Sequence, residues 1–493
     1  MATQDDEQQP LLAASPLKST PLPKQFFLVL FLQLAEPLTS QVIYPFAPQL
    51  IRDVGITHGD EAKVGYYVGT MQSIFFLTQA MTVLHWSRIS DRIGRKPVIL
   101  TGLFGLSLSM YCFGLSTTYW GLVISRSLNG ALNGNIGVIK SIIADITDST
   151  NIAHAYAWTP LAWATGVTVG PAIGGYLARP AERFPALFGN SKFLKKYPYF
   201  LPCSIPATFS LIAWLNTFLF LKESATGSHV VHIDAAQIFA RLRGKKPERL
   251  DSGEGEGEME STAKPEPTPA LPLRQLVTKR VVIAASSYAF LSLVDIAFRA
   301  VLPVFLSTPI ELGGLAFSPR KIGNLMMVYG ILTAFTQVFF FARVNNFLGS
   351  RMTAVLGIAC GIPTFAAFPL MNYVAQKQGG VTVWVILIAL LQIAITIGLE
   401  FAYGGVFIYL ASAAPSRSSI GATNGLSQLS VSLMRTVGPG LANSLFSLSI
   451  EKQLLGGWLV YYVLMGVTGV AVWVAMQLPK KVWVIGEDVE ESS

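Results

Sequence analysis

The chain has 493 residues, of which 52% are hydrophobic and only 13% are charged, and its mean hydropathy is +0.49. Ordinary soluble domains carry about 25% charged residues, so this composition excludes a large soluble enzyme. The 36 Lys and Arg residues outnumber the 28 Asp and Glu residues, but they lie mostly between apolar blocks. Such a distribution is not that of a nucleic-acid-binding face, and we expect no nucleic-acid partner.

The cysteines and histidines are scattered. Cys112, Cys203 and Cys360 fall in different apolar blocks, and no CxxC or Cys/His cluster occurs. We therefore expect neither a disulfide framework nor a metal site, no cofactor, and no enzymatic centre. The first 24 residues are polar, which predicts no cleavable signal peptide before the first apolar block.

Twelve apolar blocks are long enough to cross a bilayer, which takes about 20 residues of helix. The first six predicted spans are 25–50, 64–86, 97–116, 119–145, 153–178 and 199–221. The second six are 281–306, 322–343, 351–373, 382–413, 420–449 and 456–477. Helices satisfy their own backbone hydrogen bonds in lipid, and the blocks lack the alternation of barrel strands. The sequence therefore predicts an all-α membrane protein of two six-helix bundles.

The predicted organisation has five parts. They are an N-terminal tail 1–24, a bundle 25–221, a linker 222–279, a bundle 280–478 and a C-terminal tail 479–493. The linker contains the sequence GEGEGE and few large apolar residues, which favours a flexible segment. Lys and Arg residues are more frequent on the side of both tails and the linker, so we expect that side to be cytoplasmic.

An internal repeat relates the two bundles. The dipeptides at 137–138 and 170–171 recur at 405–406 and 438–439, separated by the same number of positions. Two homologous halves predict a substrate site between them and alternating access by rocking of one half against the other. The halves are not equivalent, because Ala394 matches Arg126. We therefore expect coupling chemistry mainly in the first half.

The segment 87–96, SRISDRIGRK, resembles motif A of the major facilitator superfamily, although Ser87 replaces the usual glycine. Gly94 permits a tight reversal between two helices. The resemblance implies the major facilitator fold and a cytoplasmic latch between the halves in the outward-open state. The latch residues would be Asp91, Arg92, Gly94 and Arg95, with Asp145 or Asp148 as an acidic partner. A loop that only sets topology is the alternative, and Asn346 matches Asp91 in the second half.

The fourth span contains the pattern Leu122-x-x-x-Arg126-x-x-Asn129-Gly130, which resembles motif B of the same superfamily. An arginine deep in a span is costly unless it faces a partner or water. In related antiporters this arginine is tied to proton coupling. Asn129 stands where the family usually has glutamine.

The fifth span contains a run of small residues that resembles motif C, the antiporter signature. Its members are Gly166, Gly170, Pro171, Gly174 and Gly175. Small residues at this spacing also allow ordinary close packing of helices, which is the alternative. The resemblance implies a seal against leak that favours exchange. It covers about 25–480 except the linker, and points to drug:proton antiporters near the zinc-induced-facilitator-like and tetracycline-resistance transporters. The Cys-Pro-Gly-Cys element of the plant members is absent, which argues against a metal-linked role.

Ionisable residues inside spans are candidates for proton coupling by default. They are Glu36, Arg126, Lys140, Asp295, Arg299, Glu400 and Arg435. We hypothesise that Glu36, Asp295 or Glu400 carries the proton, while Arg126 and Lys140 reset it electrostatically. Two simpler interpretations stay open. Asp295 and Arg299 are spaced to pair on one helix face, and Arg435 could pair with Glu400 across helices.

Further side chains are candidates for the cavity lining, although most aromatic residues in spans face lipid or pack. They are Tyr44, Asn133, Trp163, Tyr403 and Phe407. In the N-terminal tail, Glu7, Leu11 and Leu12 fit the acidic dileucine pattern that sorting adaptors recognise. This pattern favours a vacuolar or endosomal membrane over the plasma membrane.

Together these features predict a monomeric secondary active transporter that exports a small organic solute by proton-coupled antiport. Its partners would be the solute, protons and the lipid bilayer. The alternatives are a symporter or uniporter for a nutrient, and a transporter-like sensor that does not transport. Multidrug efflux is the activity that the resemblance implies.

Overall fold

The computed structural model of the chain describes residues 20–147, 151–224, 277–415 and 419–483. These ranges contain both bundles. The dileucine pattern at Glu7, Leu11 and Leu12 lies outside the described residues, and so do Asp148 and most of the linker.

The first bundle contains six spans, two of which are interrupted. Span 1 is Lys24–Gln33 with Ala35–Gln41, span 2 is Val64–Ile93, span 3 is Arg95–Leu115, span 4 is Tyr119–Leu132 with Asn135–Ile146, span 5 is Ile152–Leu177, and span 6 is Phe200–Phe220. Short helices connect them at Ala47–Val54, Glu61–Lys63, Pro180–Arg183, Pro185–Phe188 and Lys192–Lys196.

The second bundle repeats this order. Span 7 is Lys279–Ser307, span 8 is Pro319–Phe339, span 9 runs within Phe341–Ala359 and Gly361–Lys377, span 10 is Val383–Ser412, span 11 is Ile420–Glu451, and span 12 is Leu459–Met476. A helical turn, Ile310–Leu312, follows span 7. The reversal after the second span of each half uses a glycine with positive φ, 107° at Gly94 and 77° at Gly349. Only glycine adopts such angles at little cost.

Seven of the described helical stretches can cross a membrane by length and composition alone, namely spans 3, 6, 7, 8, 9, 10 and 12. Spans 1 and 4 are interrupted. Spans 2, 5 and 11 are richer in glycine and polar residues, because one face of each packs against the other half of the protein.

The predicted spans 25–50 and 119–145 are each interrupted in the structure. The first helix ends at Gln41, and a short helix follows from Ala47. The other breaks at Asn133 and Gly134, where the indole of Trp86 from span 2 enters. Trp86 Nε1 donates to the carbonyl oxygen of Ala131 at 2.7 Å, and a Cβ on Gly134 would lie 2.3 Å from Trp86 Cγ. Hydropathy does not detect this tertiary contact.

The halves meet along two seams, where span 2 packs on span 11 and span 5 packs on span 8. A Cβ on Gly65 would lie 2.5 Å from Ser447 Oγ, and one on Gly175 would lie 2.7 Å from the carbonyl oxygen of Pro319. We call the side where span 1 begins and span 12 ends the terminal side, and the opposite side the far side. These close approaches all lie towards the far side.

A polar contact joins the halves on the far side. Arg52 donates through Nη1 to Ser307 Oγ at 2.5 Å and through Nη2 to the Ser307 carbonyl oxygen at 3.0 Å, while its Nε pairs with Glu61 at 2.8 Å. The terminal-side parts of the seam helices carry exposed side chains instead, including Trp158 and Val338. The space between the halves is therefore closed at the far side and open at the terminal side.

Candidate functional site

A cavity of about 430 Å³ lies between the two halves. Spans 1, 2, 4 and 5 line it from one half, and spans 7, 8, 10 and 11 from the other. All seven ionisable residues predicted from the sequence line this cavity. They are Glu36, Arg126, Lys140, Asp295, Arg299, Glu400 and Arg435. Residues from eight spans therefore converge on one chamber, whose volume suits a small organic ligand.

The second half of the cavity contains a closed ion-pair network centred on Arg299. Its Nε lies 2.8 Å from Asp295 Oδ1, and its Nη2 also donates to Glu400. Tyr329 donates its hydroxyl to Glu400 Oε1 at 2.7 Å, and Tyr403 donates to Asp295 Oδ2 at 3.1 Å. The predicted pairing of Asp295 with Arg299 on one helix face is confirmed.

The predicted pair between Arg435 and Glu400 was wrong. Glu400 is already bound by Arg299 and Tyr329, and Arg435 Nε donates instead to Ser292 Oγ at 3.2 Å. The sequence does not show which partner each of these side chains takes. Span 7 supplies both Arg299, which binds Glu400, and Ser292, which binds Arg435.

The charges in the first half are arranged differently. Glu36 lies just after the interruption at Leu34 and faces the amides of Asn133 and Gln79. Arg126 is 4% exposed, and its Nε and Nη1 have no hydrogen-bond partner among the described residues. Its guanidinium lies 4.6 Å from the ring centroid of Phe75, a cation–π contact.

Four of the five predicted cavity residues line the chamber, namely Tyr44, Trp163, Tyr403 and Phe407. The prediction for Asn133 was wrong: it is fully buried at the break in span 4 and does not line the chamber. Tyr288, which the sequence did not single out, packs edge-to-face on Phe407 with ring centroids 5.1 Å apart. With Tyr403 these residues form an aromatic wall on the second half.

The motif C glycines lie where span 5 touches its neighbours. A Cβ on Gly166 would lie 2.4 Å from Pro37 Cβ, one on Gly170 2.9 Å from Gln41 Cβ, and one on Gly174 1.9 Å from the Val42 carbonyl oxygen. Gly175 instead faces span 8, and the Pro171 carbonyl oxygen would lie 2.6 Å from a Cβ on Gly323. These glycines thus allow span 5 to pack closely against span 1 and against span 8.

The motif A residues form a network within the first half. Arg95 pairs with Asp91 at 3.1 Å and with Asp145 at 2.8 Å, and Arg92 is exposed. Glu223, which the sequence did not single out, accepts from the backbone N–H groups of Arg95 and of the next residue at 2.9 and 3.0 Å. A carboxylate at a helix N-terminus is favourable, so Glu223 caps span 3.

Other contributors also escaped prediction from sequence. Tyr329, Gln79 and Phe75 each touch one of the buried charges. The only signal for Tyr329 and Gln79 is a polar group within an apolar span, a signal that many residues without a role share.

Two pseudo-symmetric bundles around a central chamber open on one side define a secondary transporter, a class that moves solutes by alternating access. The sequence profile of the Major Facilitator Superfamily matches residues 29–439, and the chain belongs to this superfamily.

Relatives and a solved structure agree with this assignment. The chain is 26% identical to the multidrug transporter mfsB of Aspergillus fumigatus, with 93% of this chain and 84% of the relative covered. It is 28% identical to the protein ZINC INDUCED FACILITATOR 1 of Arabidopsis thaliana, with 89% and 87% covered. A D-xylose–proton symporter structure superposes with a TM-score of 0.67 at 14% identity, covering 94% of this chain and 99% of that chain. The two sequence relatives are consistent with the drug-efflux-like branch, and the symporter structure agrees with the fold alone.

Proposed function

We propose that the protein is a proton-coupled antiporter that exports a small organic solute. The observation that carries the proposal is the convergence of three carboxyl groups on the chamber that would hold the solute. Glu36, Asp295 and Glu400 all line it. Burial favours the neutral form of a carboxyl group, so a proton and a solute can compete for one enclosed space.

The proposal gives Glu36 the main proton-carrying role. Asp295 and Glu400 share Arg299 and are also bound by tyrosines. Glu36 lacks such a dedicated arginine, although Lys140 and Arg435 lie within electrostatic range. In this scheme Arg126 and Lys140 favour return of Glu36 to its ionised form after the proton leaves.

The remaining motifs take gating roles in the proposed cycle. The glycines of motif C seal span 5 against spans 1 and 8 while the halves rock. When the terminal side closes, the Asp91, Arg95 and Asp145 network would dock onto the second half as the latch. The 3.1 Å and 2.8 Å pairs within the first half keep these side chains ordered until then.

The orientation and location belong to the same proposal. The bias of Lys and Arg residues supports a cytoplasmic terminal side, so export would start from the cytoplasm. The residues Glu7, Leu11 and Leu12 would direct the protein to vacuolar or endosomal membranes through sorting adaptors. A tagged Leu11→Ala/Leu12→Ala variant should then move to the plasma membrane. Unchanged residence of both forms at the plasma membrane would exclude the signal.

The decisive experiment is flux in proteoliposomes with an imposed pH gradient and a panel of organic solutes. We expect solute to move against the proton gradient in the wild type. Glu36→Gln should abolish gradient-driven flux while solute exchange at equal pH continues. Glu311→Gln, an exposed carboxylate on the far side, is the matched control.

Three results would reject the mechanism. Full gradient-driven flux in both Glu36→Gln and Glu400→Gln would remove carboxylate-based coupling. Movement of solute in the same direction as protons would replace antiport with symport, and flux that ignores the gradient would indicate a uniporter.

A further inference from the structure

We propose that Arg126 is a substrate-binding residue that takes the carboxylate of an organic anion with an aromatic body. The inference rests on the proposed transport through the central chamber and adds the chemical class of the solute. Its geometric basis is a buried arginine that lines the chamber without a partner for two of its donors.

The first argument is the unfilled hydrogen-bonding capacity of Arg126. Nε and Nη1 have no acceptor within the described parts of the chain, and the residue is 4% exposed. A buried charge without a counterion is strongly disfavoured, so it persists where a ligand completes it. Phe75 covers one face of the guanidinium, and Nε and Nη1 are buried at its edge without an acceptor.

The second argument is the contrast with Arg299, the other buried arginine near the closed end of the chamber. Arg299 is occupied by two carboxylates of its own half, Asp295 and Glu400. Arg126 carries the same planar fork of donors, which forms charge-assisted hydrogen bonds with carboxylates. A solute carboxylate would therefore be the counterion of Arg126 in the first half, as Asp295 and Glu400 are the counterions of Arg299 in the second.

The third argument is the charge balance of the lining. Four cationic and three anionic side chains line the chamber. Asp295 and Glu400 both lie on Arg299, and the other charges of the lining are one carboxylate, Glu36, and three cations, Arg126, Lys140 and Arg435. An enclosed space with this excess attracts an anion, since charges interact more strongly away from bulk water.

The fourth argument concerns the rest of the solute. The aromatic wall of Tyr288, Tyr403 and Phe407 stands on the opposite half of the chamber. Aromatic faces and edges pack well against a ring system, and about 430 Å³ accommodates one or two fused rings. The solute would then bridge the halves, with its carboxylate on the first half and its rings on the second.

The test compares two matched probes, 1-naphthoate and the neutral 1-naphthamide, by calorimetric titration of the purified full-length protein at pH 7.5. We expect the wild type to bind naphthoate at least about tenfold more tightly, which corresponds to about 1.4 kcal/mol. Arg126→Gln should remove this preference while naphthamide binding stays within about twofold. Arg126→Lys keeps the charge without the fork and should retain part of the preference.

Arg320→Gln is the matched control, because Arg320 stacks on Tyr176 at the far side and does not line the chamber. It should keep the full preference. A wild type without preference for naphthoate, or an Arg126→Gln variant that retains it, would overturn the inference. If Arg126→Gln binds neither probe, Arg126→Lys decides: a retained preference supports the inference and a lost one overturns it.

The two proposals fail separately. Binding is measured without a pH gradient, so an intact preference for naphthoate combined with gradient-independent flux rejects only the proton coupling. Gradient-driven flux of neutral solutes with equal binding of both probes rejects only the role of Arg126.

Discussion

The two halves of the chamber treat their charges in opposite ways. In the second half, Arg299 binds Asp295 and Glu400, and Tyr329 and Tyr403 complete the network. In the first half, Arg126 keeps two donors without partners. The two halves of the duplicated fold have thus diverged. In the second half the buried charges form ion pairs with one another, whereas in the first half Arg126 depends on a solute for its hydrogen-bond acceptor. The first half is therefore where protons and solute can change the balance of charge.

The largest expected effect separates the two buried arginines. Arg299→Gln leaves two buried carboxylates without their cation and should lower the free energy of unfolding by about 3–5 kcal/mol. Arg126→Gln removes a charge that has no internal counterion, so its cost should stay below about 1 kcal/mol. Thermal unfolding of the purified variants measures both.

A triple variant controls this comparison. Adding Asp295→Asn and Glu400→Gln to Arg299→Gln removes the uncompensated charges and should restore much of the lost stability. Equal destabilisation by Arg299→Gln and Arg126→Gln would contradict the division between the halves.

The next effect compares equivalent glycines of the repeat. Gly170→Ala places a Cβ 2.9 Å from Gln41 Cβ and 3.1 Å from the Val42 backbone nitrogen, so spans 1 and 5 must separate. We expect a cost of about 1–3 kcal/mol from overpacking. Gly438→Ala meets only side-chain atoms of span 7, Ile296 Cγ2 at 2.6 Å and Leu293 Cδ1 at 3.3 Å, and no backbone atom, so its cost should be smaller than that of Gly170→Ala.

Gly137→Ala is the control for helix propensity, since nothing lies within 4 Å of the added Cβ. It should leave stability unchanged or raise it by up to about 1 kcal/mol. Unfolding temperatures in one detergent rank the three variants, and a larger loss for Gly438→Ala than for Gly170→Ala would refute the ranking.

A smaller effect concerns the contact that joins the halves. Arg52→Ala removes both hydrogen bonds to Ser307 and should favour far-side opening by about 1–2 kcal/mol, roughly tenfold in population. Lys63→Ala is the matched control, because the ion pair of Lys63 is with Asp60 of the same half.

The measurement is the labelling rate of Tyr44→Cys by an impermeant maleimide added from the far side, in a background without the three native cysteines. Faster labelling in Arg52→Ala but not in Lys63→Ala is expected. The same rate in both variants would show that Arg52 does not hold the far side closed.

The smallest effect again separates the halves. Tyr403→Phe deletes the hydroxyl that donates to Asp295 at 3.1 Å and should cost about 0.5–1.5 kcal/mol. Tyr44→Phe should change stability by less than about 0.5 kcal/mol, because the Tyr44 hydroxyl makes no hydrogen bond with the described residues. A greater loss for Tyr44→Phe would show that the first half also holds an internal network.

The sequence predicted the features that depend on local periodicity. Spans follow from apolar length, and Asp295 pairs with Arg299 because residues four apart share a helix face. The break at Asn133 was not predictable, because it depends on Trp86 from another span. The pairing of Glu400 with Arg299 also depends on tertiary structure, because the folded helices bring Arg299, and not Arg435, within hydrogen-bond distance of Glu400.

The far-side seams carry a kinetic consequence. They are built from glycine faces such as Gly65, Gly69 and Gly175, which touch the other half through backbone and small side chains. Surfaces of this kind separate without interlocked side chains having to change rotamer. We therefore expect the rocking step to take microseconds to milliseconds, as domain motions do. Release of the solute, and not separation of the two halves, would then limit the turnover rate.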